Sequence, residues 1–152
     1  MIDKKPKIAI SIGDLNGIGI EIALKCHEKI SKICTPIYCI NNKMLKLASE
    51  ELKIQIPNDF EIFKTKGEFE IKPGIVSKKS GRYSYDSFMD AINLAKNNEV
   101  DAICTLPINK EAWNKANIKY KGHTEVLRDF FGKNAIMMLG CKKMFVGLFT
   151  EH

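Results

Sequence analysis

The first thirty residues constrain the fold most strongly, because an apolar run is followed by a glycine-containing turn and then by an amphipathic pattern. Residues 7–12 are mostly apolar and bounded by glycine, as in a strand buried on both faces of a parallel sheet. Residues 13–19 contain glycine at three positions and predict a turn. Residues 20–30 have apolar side chains at helical spacing. Strand, turn and helix in this order begin a βαβ unit.

The same alternation continues along the chain. Further strands are predicted at residues 35–40, 100–105, 135–139 and 144–149. Further helices are predicted at residues 43–52, 84–97, 110–116 and from Thr124 onwards. Residues 54–74 predict short strands and loops without a firm register, and the polar residues 78–82 predict an exposed loop. Alternating strands and helices favour a doubly wound α/β sheet.

Composition agrees with a compact globular chain. With 152 residues, of which 45% are hydrophobic and 28% charged, the chain is long enough to bury one sizeable core. No apolar run approaches the ~20 residues that cross a bilayer, and the amino terminus does not resemble a signal peptide, so we expect a cytoplasmic protein without a membrane partner. The five cysteines include no Cys-x-x-Cys pair and are expected to be small core residues.

The net charge of +6 raises the question of a nucleic-acid partner. The lysines are spread along the chain without a run of five, and no recognised nucleic-acid-binding motif accompanies them. We therefore expect solvated surface lysines and no nucleic-acid binding. A modest positive field would also attract an anionic, phosphorylated metabolite.

Residues 122–125 (GHTE) form a candidate anion site. Gly122 allows close approach of a ligand to the backbone, and Thr124 is a good helix cap. A helix starting there would direct free backbone N–H groups at an anion, with the ionisable His123 beside them. Alternatively, Thr124 simply caps the helix and His123 lies on the surface. Capped helices far outnumber ligand sites, and these four residues alone leave both interpretations open.

Other candidate positions are less specific. Gly17 and Gly19 lack the third glycine of a dinucleotide fingerprint, so they predict a tight turn near the active cleft. His27 is expected to be a partly buried or surface helix residue. Asn109 is placed to cap the helix that follows it. Lys110 could meet an anionic group or remain a solvated first-turn lysine.

Three sequence blocks together carry a family resemblance: residues 13–21 (GDLNGIGIE), 105–112 (TLPINKEA) and 120–125 (YKGHTE). In order and spacing they resemble the 4-hydroxythreonine-4-phosphate dehydrogenase family. Members of that family continue well beyond this point, so residues 1–152 are expected to correspond to the N-terminal portion of a two-domain subunit. The resemblance implies an isocitrate/isopropylmalate dehydrogenase-like doubly wound α/β/α sheet, whose dinucleotide site is not a Rossmann fingerprint.

The resemblance also implies a reaction. NAD(P) would oxidise 4-phosphooxy-L-threonine to 2-amino-3-oxo-4-phosphooxybutanoate, which decarboxylates to 3-amino-2-oxopropyl phosphate in pyridoxal 5'-phosphate biosynthesis. His123 and Thr124 match the family's substrate-binding pair, and His152 matches a ligand of a divalent metal such as zinc, magnesium or cobalt. A homodimer with its active site at the subunit interface is implied as well. No catalytic residue is assigned.

One histidine cannot hold a catalytic metal, because such sites normally use three protein ligands. The family supplies the others from downstream sequence, so these 152 residues alone are expected to be inactive. Departures from the family pattern include Leu106 in place of a small residue and Glu151 in place of a threonine beside His152. Two alternatives remain: a same-family dehydrogenase for threonate or erythronate 4-phosphate, and a phosphometabolite-binding module without catalysis.

Overall fold

The computed structural model describes residues 5–133 and 136–148, and its elements alternate between strand and helix for most of the chain. The strands are β1 (Lys7–Ser11), β2 (Thr35–Cys39), β3 (Ile62–Phe63), β4 (Ala102–Thr105), β5 (Met138–Cys141) and β6 (Met144–Gly147). The helices are α1 (Gly19–Ile30), α2 (Asn42–Leu52), α3 (Lys78–Lys96), α4 (Lys110–Lys115) and α5 (His123–Phe131). The chain divides into two compact units, Met1–Lys119 and Tyr120–His152.

The first unit is built on a four-stranded parallel sheet with strand order β3-β2-β1-β4. In the β1–β4 register, Ile8 is opposite Ala102 and Ser11 is opposite Thr105. Parallel neighbours require crossover connections, and α1, α2 and α3 supply them. This arrangement confirms the predicted α/β class.

Side chains on alternate residues of the central strands point to opposite faces, and both faces are buried. On one face, Ile10 and Tyr38 pack in a cluster with residues of α1 and α2. On the other face, Ala9 and Cys39 pack with Ala91 and neighbouring residues of α3. Helices therefore cover the sheet on both sides, which explains why the strands have mostly apolar sequences.

Helix α3 corrects one prediction. Residues 78–82 were expected to form an exposed loop, but they are the first residues of α3. Ser77 caps the helix, because its side chain accepts a hydrogen bond from the backbone N–H of Ser80 at 3.0 Å. Gly81 also has a packing role, since a Cβ there would lie 2.0 Å from the carbonyl oxygen of Ala112 in α4.

The cysteines also differ from expectation, whereas residues 54–74 broadly follow it. Cys34 and Cys39 are buried, whereas Cys104 and Cys141 are exposed, so the prediction that all five are core residues is wrong. Cys104 is exposed because β4 is the edge strand of the sheet.

Within residues 54–74, only Ile62–Phe63 forms a strand. Among the described residues, no helix is long and apolar enough to span a membrane.

His27 is more buried than predicted, with 1% of its surface exposed. Its Nδ1 lies 3.1 Å from the hydroxyl oxygen of Tyr38, and its Nε2 lies 3.1 Å from a carboxylate oxygen of Asp59. The ring also packs against Phe60. His27 therefore joins α1 to β2 and to the segment before β3, and its role in the fold is structural.

The second unit contains α5 and the antiparallel hairpin β5–β6. Gly132 ends α5 in a left-handed conformation with φ 59°, as predicted. The hairpin partly confirms the two predicted strands, although Ala135 and Phe149, at the outer ends of the predicted ranges, lie outside the described residues. Most large apolar side chains of the hairpin are exposed: Met138, Leu139, Met144, Phe145 and Val146.

Candidate functional site

The candidate site of the first unit lies where the sheet reverses its winding direction. The chain proceeds outward from β1 through β2 to β3, and then returns to place β4 on the opposite side of β1. In open α/β sheets, ligands bind outside the carboxyl ends of the strands at such a switch point. The turn at residues 12–18 and the loop at residues 106–109 both leave the sheet there.

These two segments are in direct contact. The backbone N–H of Asp14 donates to the carbonyl oxygen of Pro107 at 2.9 Å, and the N–H of Leu106 donates to the carbonyl oxygen of Ser11 at 3.0 Å. Gly13 has φ +70°, and a Cβ there would lie 2.2 Å from the Pro107 oxygen. Glycine is therefore required at position 13 both for its conformation and for the close approach.

Asp14 is a buried carboxyl group at this switch point, with 5% of its surface exposed. Its Oδ1 accepts a hydrogen bond from the backbone N–H of Asn16 at 2.9 Å. Burial raises the pKa of Asp14 above its ordinary value, while hydrogen bonds from Asn16 and Ser80 oppose the rise without cancelling it. The ionised carboxylate is thus costly in the folded state.

Asn16 fixes a second segment against the turn. Its side-chain Nδ2 donates to the carbonyl oxygen of Ile75 at 2.7 Å, and its Oδ1 accepts from the backbone N–H of Lys72 at 2.9 Å. Its own carbonyl oxygen accepts from the N–H of Gly74 at 2.8 Å. The segment that leads into α3 is therefore held against the turn that follows β1.

Sequence reasoning identified the glycine-containing turn but assigned no role to Asp14 or Asn16. Their partners, Ser80 and residues 72–75, are about sixty residues away along the chain. The available signal was a pair of polar residues inside a turn that follows a buried strand.

The loop after β4 leads into α4 as predicted. The side chain of Asn109 accepts from the backbone N–H of Ala112 at 2.9 Å, which confirms the predicted cap. Lys110 is the first residue of the helix and is exposed. Its exposure is compatible with both roles considered for it.

A cavity of about 320 Å³ lies beside the turn that follows β1. Its walls are mainly apolar and include Leu15, Ile20 and Leu52, together with the carboxylates of Glu21 and Glu51. Carboxylates and apolar walls do not favour a phosphate group. We therefore place the phosphate of an anionic ligand elsewhere.

In the second unit, α5 begins one residue earlier than predicted. Gly122 occupies the cap position and makes no side-chain hydrogen bond, while His123 and Thr124 are the first two helical residues. The prediction that Thr124 caps this helix is therefore wrong. The side chain of Glu125 accepts from the backbone N–H of Lys121, the residue before the cap, at 2.7 Å and so fixes the entry of the chain into α5.

His123 and Thr124 are both partly buried in the first turn of α5. A backbone N–H group in the first turn of a helix has no carbonyl partner within the helix, so this turn can donate to an oxygen-rich ligand. The negative charge of Glu125 is close to the same turn and would act against a second anion. The first turn of α5 thus offers hydrogen-bond donors to ligand oxygens, while the Glu125 carboxylate disfavours a strongly anionic group beside it.

A metal site is not formed by the described residues. His152, the predicted metal ligand, lies outside them, and residues 5–133 and 136–148 contain no group of three or more histidine, cysteine, aspartate or glutamate side chains that could hold a metal ion. The chemistry of the described donors therefore does not by itself fit a catalytic divalent metal.

Comparison with known proteins decides the family. Residues 32–152 match the sequence profile described as Pyridoxal phosphate biosynthetic protein PdxA. The chain belongs to this family. PdxA relatives named 4-hydroxythreonine-4-phosphate dehydrogenase include proteins from Sulfurimonas denitrificans, 60% identical over 148 residues, and Campylobacter fetus, 58% identical over 147 residues. Dehydrogenases of this kind are oxidoreductases.

Each of these matches covers 97% of this chain and 48% of the relative. The chain thus spans about half the length of the curated PdxA relatives it matches. A crystal structure of a 4-hydroxythreonine-4-phosphate dehydrogenase from Burkholderia phymatum aligns with a TM-score of 0.82 at 27% identity, covering 95% of this chain and 49% of that one. One from Klebsiella pneumoniae aligns with a TM-score of 0.74 at 23% identity and shows the same fold.

Proposed function

We propose that this chain is the N-terminal part of an NAD(P)-dependent dehydrogenase that oxidises 4-phosphooxy-L-threonine in pyridoxal 5'-phosphate biosynthesis. The observation that carries the proposal is the 60% identity to a relative of that name along nearly the whole chain. Conversion of the alcohol to a ketone beside a carboxylated carbon would yield 2-amino-3-oxo-4-phosphooxybutanoate. Loss of carbon dioxide then gives 3-amino-2-oxopropyl phosphate.

His123 and Thr124 are proposed to bind the substrate. Both lie in the first turn of α5, which places an imidazole, a hydroxyl and the backbone N–H groups of that turn at one end of the helix. Such donors would hold the hydroxyl and carboxylate oxygens of the substrate in a fixed orientation, which lowers the entropic cost of the reaction.

A divalent metal and NAD(P) complete the proposal. The metal would lower the pKa of the reacting alcohol, and the nicotinamide would accept the hydride. His152 is proposed as one metal ligand, with the others supplied by sequence that matches the second half of the relatives. We further propose a homodimer with its active site at the subunit interface.

The experiment compares the 152-residue chain with a joined protein, in which this chain continues into the second half of the Sulfurimonas denitrificans relative. Reduction of NAD or NADP is followed with 4-phosphooxy-L-threonine and added zinc, magnesium or cobalt. We expect activity in the joined protein and none in the 152-residue chain. The full-length Sulfurimonas denitrificans protein is the positive control.

Variants of the joined protein test the proposed residues. We expect His123→Asn and Thr124→Val to raise KM by about tenfold or more, which corresponds to the loss of one or two hydrogen bonds to substrate. Lys121→Gln is the matched control, because Lys121 is exposed and its bond to α5 comes from the backbone N–H, which the substitution keeps. Erythronate 4-phosphate is assayed in parallel. A preference for it would contradict the proposed substrate while keeping the dehydrogenase assignment.

A further inference from the structure

The β5–β6 hairpin has apolar side chains on both of its faces. In an antiparallel pair, residues directly opposite each other share a face, and successive residues of a strand alternate between the two faces. One face therefore presents three large apolar side chains and a cysteine: Leu139, Cys141, Met144 and Val146. The other face presents two large apolar side chains and two glycines: Met138, Gly140, Phe145 and Gly147.

Neither face is covered. The exposed fraction of the large apolar side chains in the two strands runs from 43% for Val146 to 68% for Phe145. The ring of Phe145 lies over Gly140 on the neighbouring strand, since a Cβ there would lie 2.1 Å from a ring carbon. The hairpin thus holds this aromatic ring on its surface and leaves most of the ring in contact with water.

The outer edges of the hairpin are open as well. Within the described residues, this sheet contains β5 and β6 alone, so each strand has one edge without a neighbouring strand. Exposed edges are usually protected by charged side chains or proline, and neither strand contains any. A hairpin of two strands is only marginally stable in water by itself. Strands that are apolar on both faces are typical of the interior of a covered sheet.

A second copy of the chain would cover only part of this surface. In a twofold dimer the same patch of both copies meets, so the copy would cover one face or extend one edge. A partner that covers both faces and both edges must supply several strands or helices. The Sulfurimonas denitrificans relative has such a segment, because its match covers 97% of this chain but only 48% of the relative.

We propose that both faces of the β5–β6 hairpin form a docking surface for the second half of the dehydrogenase, and that this half binds as a separate polypeptide. The choice of partner rests on the proposed function, because the second half is that of the named dehydrogenase relatives. Large exposed apolar patches mark protein interfaces, and burial of apolar area drives the association. A charge placed on either face would have to be desolvated and should therefore oppose binding.

The test co-expresses the 152-residue chain, with an affinity tag at its amino terminus, and the second half of the Sulfurimonas denitrificans relative as a separate chain. Affinity purification should recover both polypeptides in equal numbers, identified by mass. Amide hydrogen exchange of residues 138–147 should be at least about tenfold slower in this complex than in the 152-residue chain alone.

Variants place a charge on each face in turn. Met138→Glu and Leu139→Glu should each lower recovery of the second half by about tenfold or more. Leu139→Thr keeps a high strand propensity and should show a smaller loss in the same direction. Ile33→Glu is the matched control, because Ile33 is 74% exposed and lies in the first unit, and it should leave recovery unchanged. Trp113 fluorescence checks that the first unit is folded in every variant.

Recovery of the tagged chain alone would overturn the inference, as would a dimer of this chain in which residues 138–147 are protected from exchange. A loss from only one face, or an equal loss with Ile33→Glu, would also overturn it. An active joined protein whose separate halves do not associate contradicts the docking surface alone. Separate halves that associate, together with an inactive joined protein, contradict the proposed function and leave the docking surface standing.

Discussion

The indole nitrogen of Trp113 lies 2.7 Å from the hydroxyl oxygen of Ser84, and this buried hydrogen bond joins α4 to α3. Ser84 in turn donates to the carbonyl oxygen of Gly81 at 3.0 Å. The loop after β4 is therefore fixed to α3 through α4. The position of the candidate site depends on this anchor.

Ser84→Ala should destabilise the first unit by about 1–3 kcal/mol, because the indole N–H of Trp113 loses its hydroxyl acceptor in the interior. Trp113 is the single tryptophan of the chain, so its fluorescence during urea unfolding reports directly on this region. Ser31→Ala, at a half-buried position after α1 where the hydroxyl makes one long bond of 3.3 Å to the Glu28 carbonyl, is the control and should change stability by less than about 0.5 kcal/mol. Equal effects of the two variants would contradict the prediction.

Gly81→Ala should also destabilise the protein, although alanine normally favours helices over glycine by about 1 kcal/mol. The added Cβ would lie 2.0 Å from the carbonyl oxygen of Ala112, so α3 and α4 must separate. We expect a net loss of about 1–3 kcal/mol in urea unfolding. Lys79→Ala in the same turn should be nearly neutral. A more stable Gly81→Ala variant would show that α4 can move without cost.

Asn41→Ala should lower the free energy of unfolding by more than the loss of a helix cap alone does. Its Oδ1 caps α2 by accepting from the N–H of Met44, and its Nδ2 donates to the carbonyl oxygens of Thr65 and Gly67. We expect a loss of about 2–4 kcal/mol. Asn109→Ala removes a cap with a single bond and should cost about 1 kcal/mol. The comparison fails if both variants lose the same amount of stability.

Asp90→Asn should stabilise the protein at neutral pH but not at low pH. Burial raises the pKa of Asp90 above its ordinary value of 3.8, and the charge of Asp86 adds to this, while Thr65 and Lys66 oppose it. Because the folded-state pKa exceeds the unfolded one, the fold disfavours the ionised form, and stability falls as pH rises from 3.8 through the folded-state pKa.

The gain from Asp90→Asn should therefore be complete above the folded-state pKa and should disappear as pH falls towards 3.8. Chemical unfolding of both proteins over this pH range measures the difference. Glu51→Gln, at an exposed helical position, is a control for general charge effects. A gain that is constant with pH would mean that the ionisation of Asp90 is not responsible.

Most elements of the first unit were predictable because their signals are local. The buried strand at residues 7–11 and the amphipathic α1 show their periodicity within a dozen residues. The start of α3 was not predicted, since a polar sequence with glycine is also typical of loops. What makes residues 78–82 helical is the cap from Ser77 and the packing of Gly81 on α4, and α4 lies about thirty residues further along the chain.

The candidate site, like the fold, was predictable only where its signal is local. The spacing of the GHTE block placed His123 and Thr124 at the start of a helix, and the structure agrees to within one residue. Whether they bind substrate stays a prediction. That Gly122 rather than Thr124 occupies the cap position depends on where the preceding backbone enters the helix, which a cap preference cannot specify. The switch point could not be predicted from the sequence, because it depends on the strand order. That order is known only from the pairing of β4 with β1.

The strand order also has a consequence during synthesis. β1 leaves the ribosome first, but the residues of β4 that complete its second edge follow roughly 90 residues later, which takes on the order of 5 to 20 s. Throughout this interval one edge of the central strand has unpaired backbone groups, a recognised route to misassembly. Synonymous codons that slow translation between α1 and β4 should therefore reduce the yield of folded protein without changing a single amino acid.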